Sequence, residues 1–156
     1  MGGRGAASSG GGGGKGSSIE QTYRNGKSGG VVYTEKSRIE ISKKSKNERQ
    51  KYDKEQNIAK KLADDGHAVF HLDDSKLKDG SYDALVDGIK TDFKETGSAN
   101  NIGKYSKHAI EKQKAEQVVF NFTKFNGDFQ NEINKLKEKG IHGYYYKPDD
   151  KTHHRF

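Results

Sequence analysis

The stretch that decides the reading of this chain is Tyr82-Asp83-Ala84-Leu85-Val86-Asp87-Gly88-Ile89-Lys90-Thr91-Asp92-Phe93-Lys94-Glu95. Two short runs flank Asp87-Gly88, the dipeptide that favours a two-residue type I′ turn. With those two residues in the turn, Val86 faces Ile89, Ala84 faces Thr91, Tyr82 faces Phe93 and Asp83 faces Asp92. Alternation then gathers Tyr82, Ala84, Val86, Ile89, Thr91 and Phe93 on one mostly apolar face, and Asp83, Asp92 and Lys94 on the other. Two carboxylates directly opposite each other repel. A divalent cation with a lysine beside it turns that repulsion into a site.

Outward from the hairpin, helix and strand periods alternate. Tyr52, Glu55, Ala59 and Leu62 recur at helical spacing over roughly residues 48–65, with a stop at Gly66. Glu55 lies within the inward stripe: either its head reaches water at the helix boundary, or the helix delivers a carboxylate to a site. His67 to Leu72 reads as a strand with Ala68, Phe70 and Leu72 on one face. His67 and His71 fall on the other, where two such histidines are more often surface residues than metal ligands.

Beyond the hairpin, residues 101–114 predict a second helix with Ile102, Ser106, Ala109 and Gln113 on one stripe. Gln113 is either an ordinary helix-end residue or one aimed at the hairpin's polar face. Lys104, Lys107, Lys112 and Lys114 make the rest of that helix a phosphate-facing candidate. Gln117 to Phe122 is the most strand-like run and predicts a central strand. A third helix is expected over 128–139, burying Phe129, Ile133 and Leu136, then a strand over 143–147. Alternation lets only part of the Tyr144-Tyr145-Tyr146 trio stack on bases. The order is α-β-β-β-α-β-α-β over about residues 48–147, an α/β fold with helices packed on a small mixed sheet.

The ends read differently. Residues 1–18 are Gly/Ser low-complexity sequence, and 19–47 stay rich in Gly, Lys and Ser. The expected division is a flexible or disordered tail over 1–47 and an α/β domain over 48–156. In the tail, Val31-Val32-Tyr33 and Ile39-Glu40-Ile41 are short strands or a docking segment at most. The final Lys151 to Phe156 is expected to fray.

Of 156 residues, 29% are hydrophobic and 33% charged, so a packed core occupies only part of the chain. The net charge of +7 and pI of about 9.4 suit a polyanionic partner such as nucleic acid. Cysteine is absent, which excludes disulfides and thiolate chemistry. The start has no apolar signal-peptide core and no run spans a bilayer, so a soluble protein is expected.

Chemically, Asp83 and Asp92 can hold a metal ion that polarises a phosphodiester and lowers the pKa of an attacking water. Oxygen ligation with open positions favours Mg²⁺ or Mn²⁺ over Zn²⁺. Lys94 can orient the water or stabilise charge on phosphate oxygens, and Glu55 can add a third carboxylate.

Asp83, an eight-residue gap, then Asp92-Phe93-Lys94 resembles the signature of the PD-(D/E)XK nuclease superfamily, and the element order resembles its common core. Glu55 on the first core helix and Gln113 on the helix after the lysine strand match two accessory features. The run from Gly66-His67 through the hairpin to Lys112-Gln113 and Val118-Val119 looks most like the C-terminal tRNase domains of contact-dependent growth-inhibition toxins. Related modules occur in phage-encoded proteins, and the MGGRG start is similar to some short phage proteins.

The resemblance implies a catalytic set of Asp83, Asp92, Lys94, Glu55 and Gln113, with Asp83, Asp92 and Glu55 toward Mg²⁺ or Mn²⁺. It implies tRNA or other RNA ahead of DNA as substrate and an acidic immunity protein as partner. Action would be in a bacterial cytoplasm, or after phage-associated delivery to a target cell. Tyr82 stands where the family usually has proline, and the second acid is Asp where Glu is commoner, which shortens its reach.

Two other classes remain. A metal-independent ribonuclease toxin of the barnase–EndoU–colicin–RelE type would use His67, His108, Tyr105 or Lys94 for acid–base work. A non-enzymatic basic nucleic-acid-binding or phage accessory protein would bind with steep salt dependence and cleave nothing.

Overall fold

The computed structural model describes residues 18–156, and the Gly-rich stretch before them lies outside the described residues. The expected eight elements all form. They are α2 (Lys46–Asp64), β3 (Ala68–His71), β4 (Ala84–Val86), β5 (Ile89–Thr96), α3 (Asn100–Glu111), β6 (Gln117–Phe122), α4 (Gly127–Glu138) and β7 (Gly143–Tyr146). Ahead of them stand β1 (Ile19–Arg24), β2 (Val31–Glu35) and α1 (Lys36–Ser42), and β8 (His154–Arg155) follows. A short 3₁₀ turn, Asp74–Lys76, interrupts the β3–β4 connection. All eight strands make one mixed sheet in chain order, from β1 at one edge to β8 at the other.

Residues 19–42 correct the expectation of a mobile arm. β1 pairs antiparallel with β2, and β2 runs parallel to β3 with Val31 opposite Ala68 and Thr34 opposite His71. A single-residue irregularity between Gln21 and Tyr23 breaks the first pairing. In sequence β1 shows little apolar alternation, as an edge strand with one face in water needs little. The Ile39-Glu40-Ile41 run lies in the helix α1, whose inward residues are Arg38 and Ser42.

The hairpin register holds. Ala84 pairs with Thr91, Leu85 with Lys90 and Val86 with Ile89, while Asp87 and Gly88 take φ of 52° and 84°, the positive values a type I′ turn requires.

Two apolar layers cover the sheet. Under α2, Ile58, Ala59 and Leu62 pack on Val32, Val69, Val86, Phe93 and Val119. Under α3 and α4, Ile102, Phe129, Ile133 and Leu136 pack on Val118, Phe120, Phe122 and Tyr145. β6, central between β5 and β7, is buried along its whole length, which explains its continuous apolar reading. Tyr82 joins the α3 layer, not the Ala84 face, because regular pairing stops at Ala84.

Helix ends follow local chemistry. The Ser45 side chain accepts from Glu48 N to start α2, and Asn126 accepts from Asp128 N and Phe129 N to start α4. Asn126→Ala should therefore cost about 1 kcal/mol, a fall of roughly 2–4 °C in Tm, measurable by thermal unfolding.

At the far edge, β8 pairs with β7, and Phe156 exchanges backbone hydrogen bonds with Gly143 (3.1 and 3.2 Å), burying its ring against Phe120 and Tyr145. The terminal residues are thus held in the sheet, contrary to the expected fraying. The tyrosine trio divides as alternation requires. Tyr145 enters the α3/α4 layer, while Tyr146 is buried under α2 with its hydroxyl donating to Asp65 Oδ2 at 2.6 Å. Only Tyr144 keeps partial exposure.

Candidate active site

β5 carries the site. Alternation turns Phe93 into the α2 layer and sends Asp92 and Lys94 to the other face, at the end of α3. Asp92 is wholly buried. Its Oδ1 accepts from Gln113 Nε2 at 3.0 Å, and Lys94 Nζ stands 2.8 Å from Oδ2. That second contact is an ion pair without hydrogen-bond alignment, so Oδ2 has a charge beside it but no donor aimed at it.

Gln113 ties the group together. Its Oε1 accepts from Lys94 Nζ at 2.9 Å, and its Nε2 also reaches Ser81 O at 3.3 Å. α3 ends at Glu111, so Gln113 lies beyond the helix and not on its stripe. It is aimed by the turn after α3, where Lys114 takes φ of 65°.

Asp83 sits just before β4, with Oδ2 accepting from Phe93 N at 2.9 Å. Burial pushes its carboxyl well above the ordinary carboxylate range, and the negative charges of Glu55 and Asp92 push the same way. The opposed aspartates expected from the register therefore do meet.

Glu55 arrives from α2. Its Oε1 accepts from three donors: His71 Nε2 at 2.7 Å, Arg38 Nη2 at 3.2 Å and Arg38 Nε at 3.3 Å. Burial alone pushes its carboxyl up, but His71 and Arg38 outweigh that and hold it below its ordinary value. His71 is itself fully buried, its Nδ1 against Gln56 Nε2 at 2.7 Å and its ring stacked on Tyr52. This corrects the surface reading of His71. β3 turns Val69 and His71 into the α2 layer and leaves Ala68 exposed and Phe70 and Leu72 half-buried.

His67 belongs elsewhere. Its Nδ1 meets Asp87 Oδ2 at 2.6 Å, and its Nε2 meets His153 Nε2 at 2.9 Å. The two ring centroids are 5.1 Å apart, so the nitrogens meet nearly head to head, the geometry of an N–H···N bond and not of two ligands converging on an ion. His67 and His71 share no site.

Glu55, Asp83, Lys94 and Gln113 line a cavity of about 290 Å³, while Asp92, wholly buried, is not part of its wall. Lys51, Lys54, Asp74 and Glu95 complete its polar wall. Neither Asp74 nor Glu95 carries a site signal in the sequence. Asp74 lies in a polar connection without periodicity. Glu95 is simply the alternation partner of Phe93, and it accepts from Asn121 Nδ2 and pairs with Lys54.

The donor set fits a hard divalent cation: it is all oxygen, one buried oxygen of Asp92 lacks an aimed donor, and Asp83 is crowded by negative charge. Among the described residues no three histidine or carboxylate side chains cluster closely enough to hold an ion as they stand. Asp83 and Asp92 form the pair, and Glu55, whose charge also raises the Asp83 carboxyl, borders the same cavity on its own supports.

Fold and site together define a mixed-sheet α/β domain with a carboxylate–lysine centre on a central hairpin. Residues 80–144 match the family model described as the contact-dependent growth inhibition CdiA C-terminal domain. That segment holds Asp83, Asp92, Lys94 and Gln113, while Arg38, Glu55 and His71 lie before it. No curated protein sequence matches. Among solved structures, the fold is similar to a chain of the CdiA-CT/CdiI toxin and immunity complex from Burkholderia pseudomallei. The TM-score is 0.57 at 17% identity, over 73% of this chain and 89% of that one. Among the described residues no helix is long and apolar enough to cross a membrane.

Proposed function

We propose that this chain is a toxin-type, metal-dependent nuclease of the PD-(D/E)XK kind that hydrolyses phosphodiester bonds in tRNA or another structured RNA, with DNA as the next substrate. The observation that carries this reading is the buried Asp83–Asp92 pair with Lys94 beside it, of which Asp83 and Lys94 line a cavity that Glu55 also borders.

Asp83 and Asp92 would hold Mg²⁺ or Mn²⁺, with Glu55 as the further carboxylate. When bound, such an ion polarises the scissile phosphate and lowers the pKa of water. Lys94, steadied by Gln113 Oε1 and Asp92, presents its ammonium to charge gathering on the phosphate oxygens or to the attacking water. Gln113 fixes both neighbours through opposite ends of one amide. Lys51 and Lys54 at the rim favour a polyanion. A basic toxin needs protection in its producer, and an acidic immunity protein covering this rim is the partner that the likeness to a toxin–immunity complex suggests.

Purified protein is incubated with total tRNA and with plasmid DNA, each with EDTA, Mg²⁺ or Mn²⁺. The expected result is cleavage only with metal, and loss on the order of 10²–10³-fold for Lys94→Ala. Cleavage that survives full chelation, or a Lys94→Ala protein that cuts normally, overturns the reading.

One observation favours a second reading. Exposed His108 shares Gln113 Oε1 with Lys94 (Nδ1 at 3.1 Å), and Lys94 Nζ lies over the Tyr105 ring. A metal-independent ribonuclease built on these groups leaves 2′,3′-cyclic phosphate ends, whereas metal-assisted hydrolysis does not. His67 takes no part in it, being held by Asp87 and His153 away from the cavity wall.

A further inference from the structure

Glu55 is bound asymmetrically. Three N–H donors, from two buried side chains, converge on Oε1 alone, while Glu55 lines the cavity that holds Asp83 and Lys94. His71 is wholly buried and Arg38 nearly so, and both spend hydrogen bonds on a carboxylate that keeps 13% of its side chain exposed, at the cavity wall. Burying a guanidinium and an imidazole around one acid is a poor way to gain stability, since desolvation offsets most of the attraction. It is a good way to fix a carboxylate in one orientation.

The supports are themselves held. Gln56, one residue along α2, bonds His71 Nδ1 and Thr34 Oγ1, and Tyr52 lies under both His71 and the Arg38 guanidinium. Arg38 comes from α1, which packs on α2 and β2, and His71 from β3, which pairs parallel with β2. The orientation of Glu55 thus depends on a part of the fold that precedes the family-matched segment.

We propose that His71 and Arg38 are positioning residues: by gripping Oε1 they present Oε2 of Glu55 to the cavity as the carboxylate that completes cation binding opposite Asp83 and Asp92. This rests on the metal-dependent reading of the centre. Neither residue reaches the substrate, and their effect passes through Glu55. Supports of this type are worth about 10–100-fold in metal affinity or activity when removed.

The test compares wild type with His71→Leu, Arg38→Met and the conservative His71→Gln and Arg38→Lys, each checked for a cooperative thermal transition. Mn²⁺ binding is measured by titration calorimetry, and cleavage is measured as a function of Mn²⁺. The expected result is Mn²⁺ affinity reduced 10–100-fold in the folded Leu and Met variants. Part of it should return in the Gln and Lys variants, which keep an N–H toward Glu55, and high Mn²⁺ should restore much of the cleavage rate. If the two drastic variants fail to fold, the conservative pair still answers, because an imperfect grip shifts the Mn²⁺ requirement and a merely structural role leaves it unchanged. Folded variants that bind Mn²⁺ like wild type overturn the inference while leaving the nuclease reading intact. A wild-type protein that binds no Mn²⁺ overturns both.

Discussion

Asp83→Asn is expected to abolish cleavage and, in the same protein, to raise the melting temperature at neutral pH without divalent metal. The two effects share a cause. Asp83 is buried beside Asp92 and Glu55, and both the burial and those charges oppose its ionisation. A carboxyl whose folded pKa lies above its unfolded value contributes stability below the ordinary carboxylate range and loses it as pH rises through the folded value. At neutral pH the wild type therefore carries the cost of this group. Asparagine keeps an oxygen to accept from Phe93 N and adds a donor that can face Asp92, so the packing survives. The gain should be roughly 1–3 kcal/mol, the usual cost of an uncompensated buried polar group, or about 2–10 °C in Tm. It should shrink as pH falls and the wild-type carboxyl takes up its proton. Mn²⁺ should stabilise wild type and not the variant. Thermal scans at neutral and acidic pH, with and without Mn²⁺, check all of this. A variant that is less stable than wild type in every condition would mean that Asp83 is there for the fold and not for chemistry.

Gly30→Val should be among the most damaging single changes in the chain, although Gly30 lies in the stretch whose composition reads as a tail. A Cβ at Gly30 would stand 1.7 Å from Ala63 O, near the end of α2, and backbone cannot yield as a side chain can. The same carbonyl accepts from Ser28 Oγ at 2.7 Å and from Gly66 N at 2.9 Å, so the β1–β2 loop and the α2 stop are anchored at one point. Forcing β2 off α2 disturbs Val32 in the apolar layer and the pairing of β2 with β3. The expected loss is about 3 kcal/mol or more, in the range of severe overpacking, roughly 10 °C in Tm. Because β2 leads into α1 and Arg38, cleavage should fall further than the unfolded fraction accounts for. Circular dichroism melts and cleavage assays on the residual folded protein decide this. Wild-type stability would show that the loop shifts freely.

Local chemistry made the hairpin readable. Asp87-Gly88 admits few turn geometries, and a strand period of two then places Asp83, Asp92 and Lys94 without further information. The order of elements from α2 to β7 followed in the same way, from helical stripes and apolar runs that each lie within a few turns or residues. Glu55 was legible as an acid on an inward stripe, but whether it reached water or a site was not, because that depends on what faces the helix.

What local pattern could not decide was decided by contacts between distant segments. β1 carries few apolar residues and the Val31-Val32-Tyr33 run of β2 is short; both strands form because β2 pairs in parallel with β3, some 37 positions later by the Val31–Ala68 register, and no nearby signal announces such a pairing. His71 was placed on the correct strand but not recognised as buried. Alternation tells which residues share a face, whereas only the packing of α2 tells that the Val69–His71 face is the covered one and the Ala68–Phe70 face the more open one. Gln113 reached Lys94 and Asp92 from a turn and not from the helix that its spacing suggested. The terminal strand formed because β7 offered an open edge and Phe156 an apolar ring to bury. The sequence by itself thus determined the turn, the register and the opposed aspartates at the centre. The tertiary structure alone brought Glu55 and Gln113 to them, and Arg38 and His71 to Glu55, because burial and long-range pairing are properties of the assembled sheet and not of any one segment.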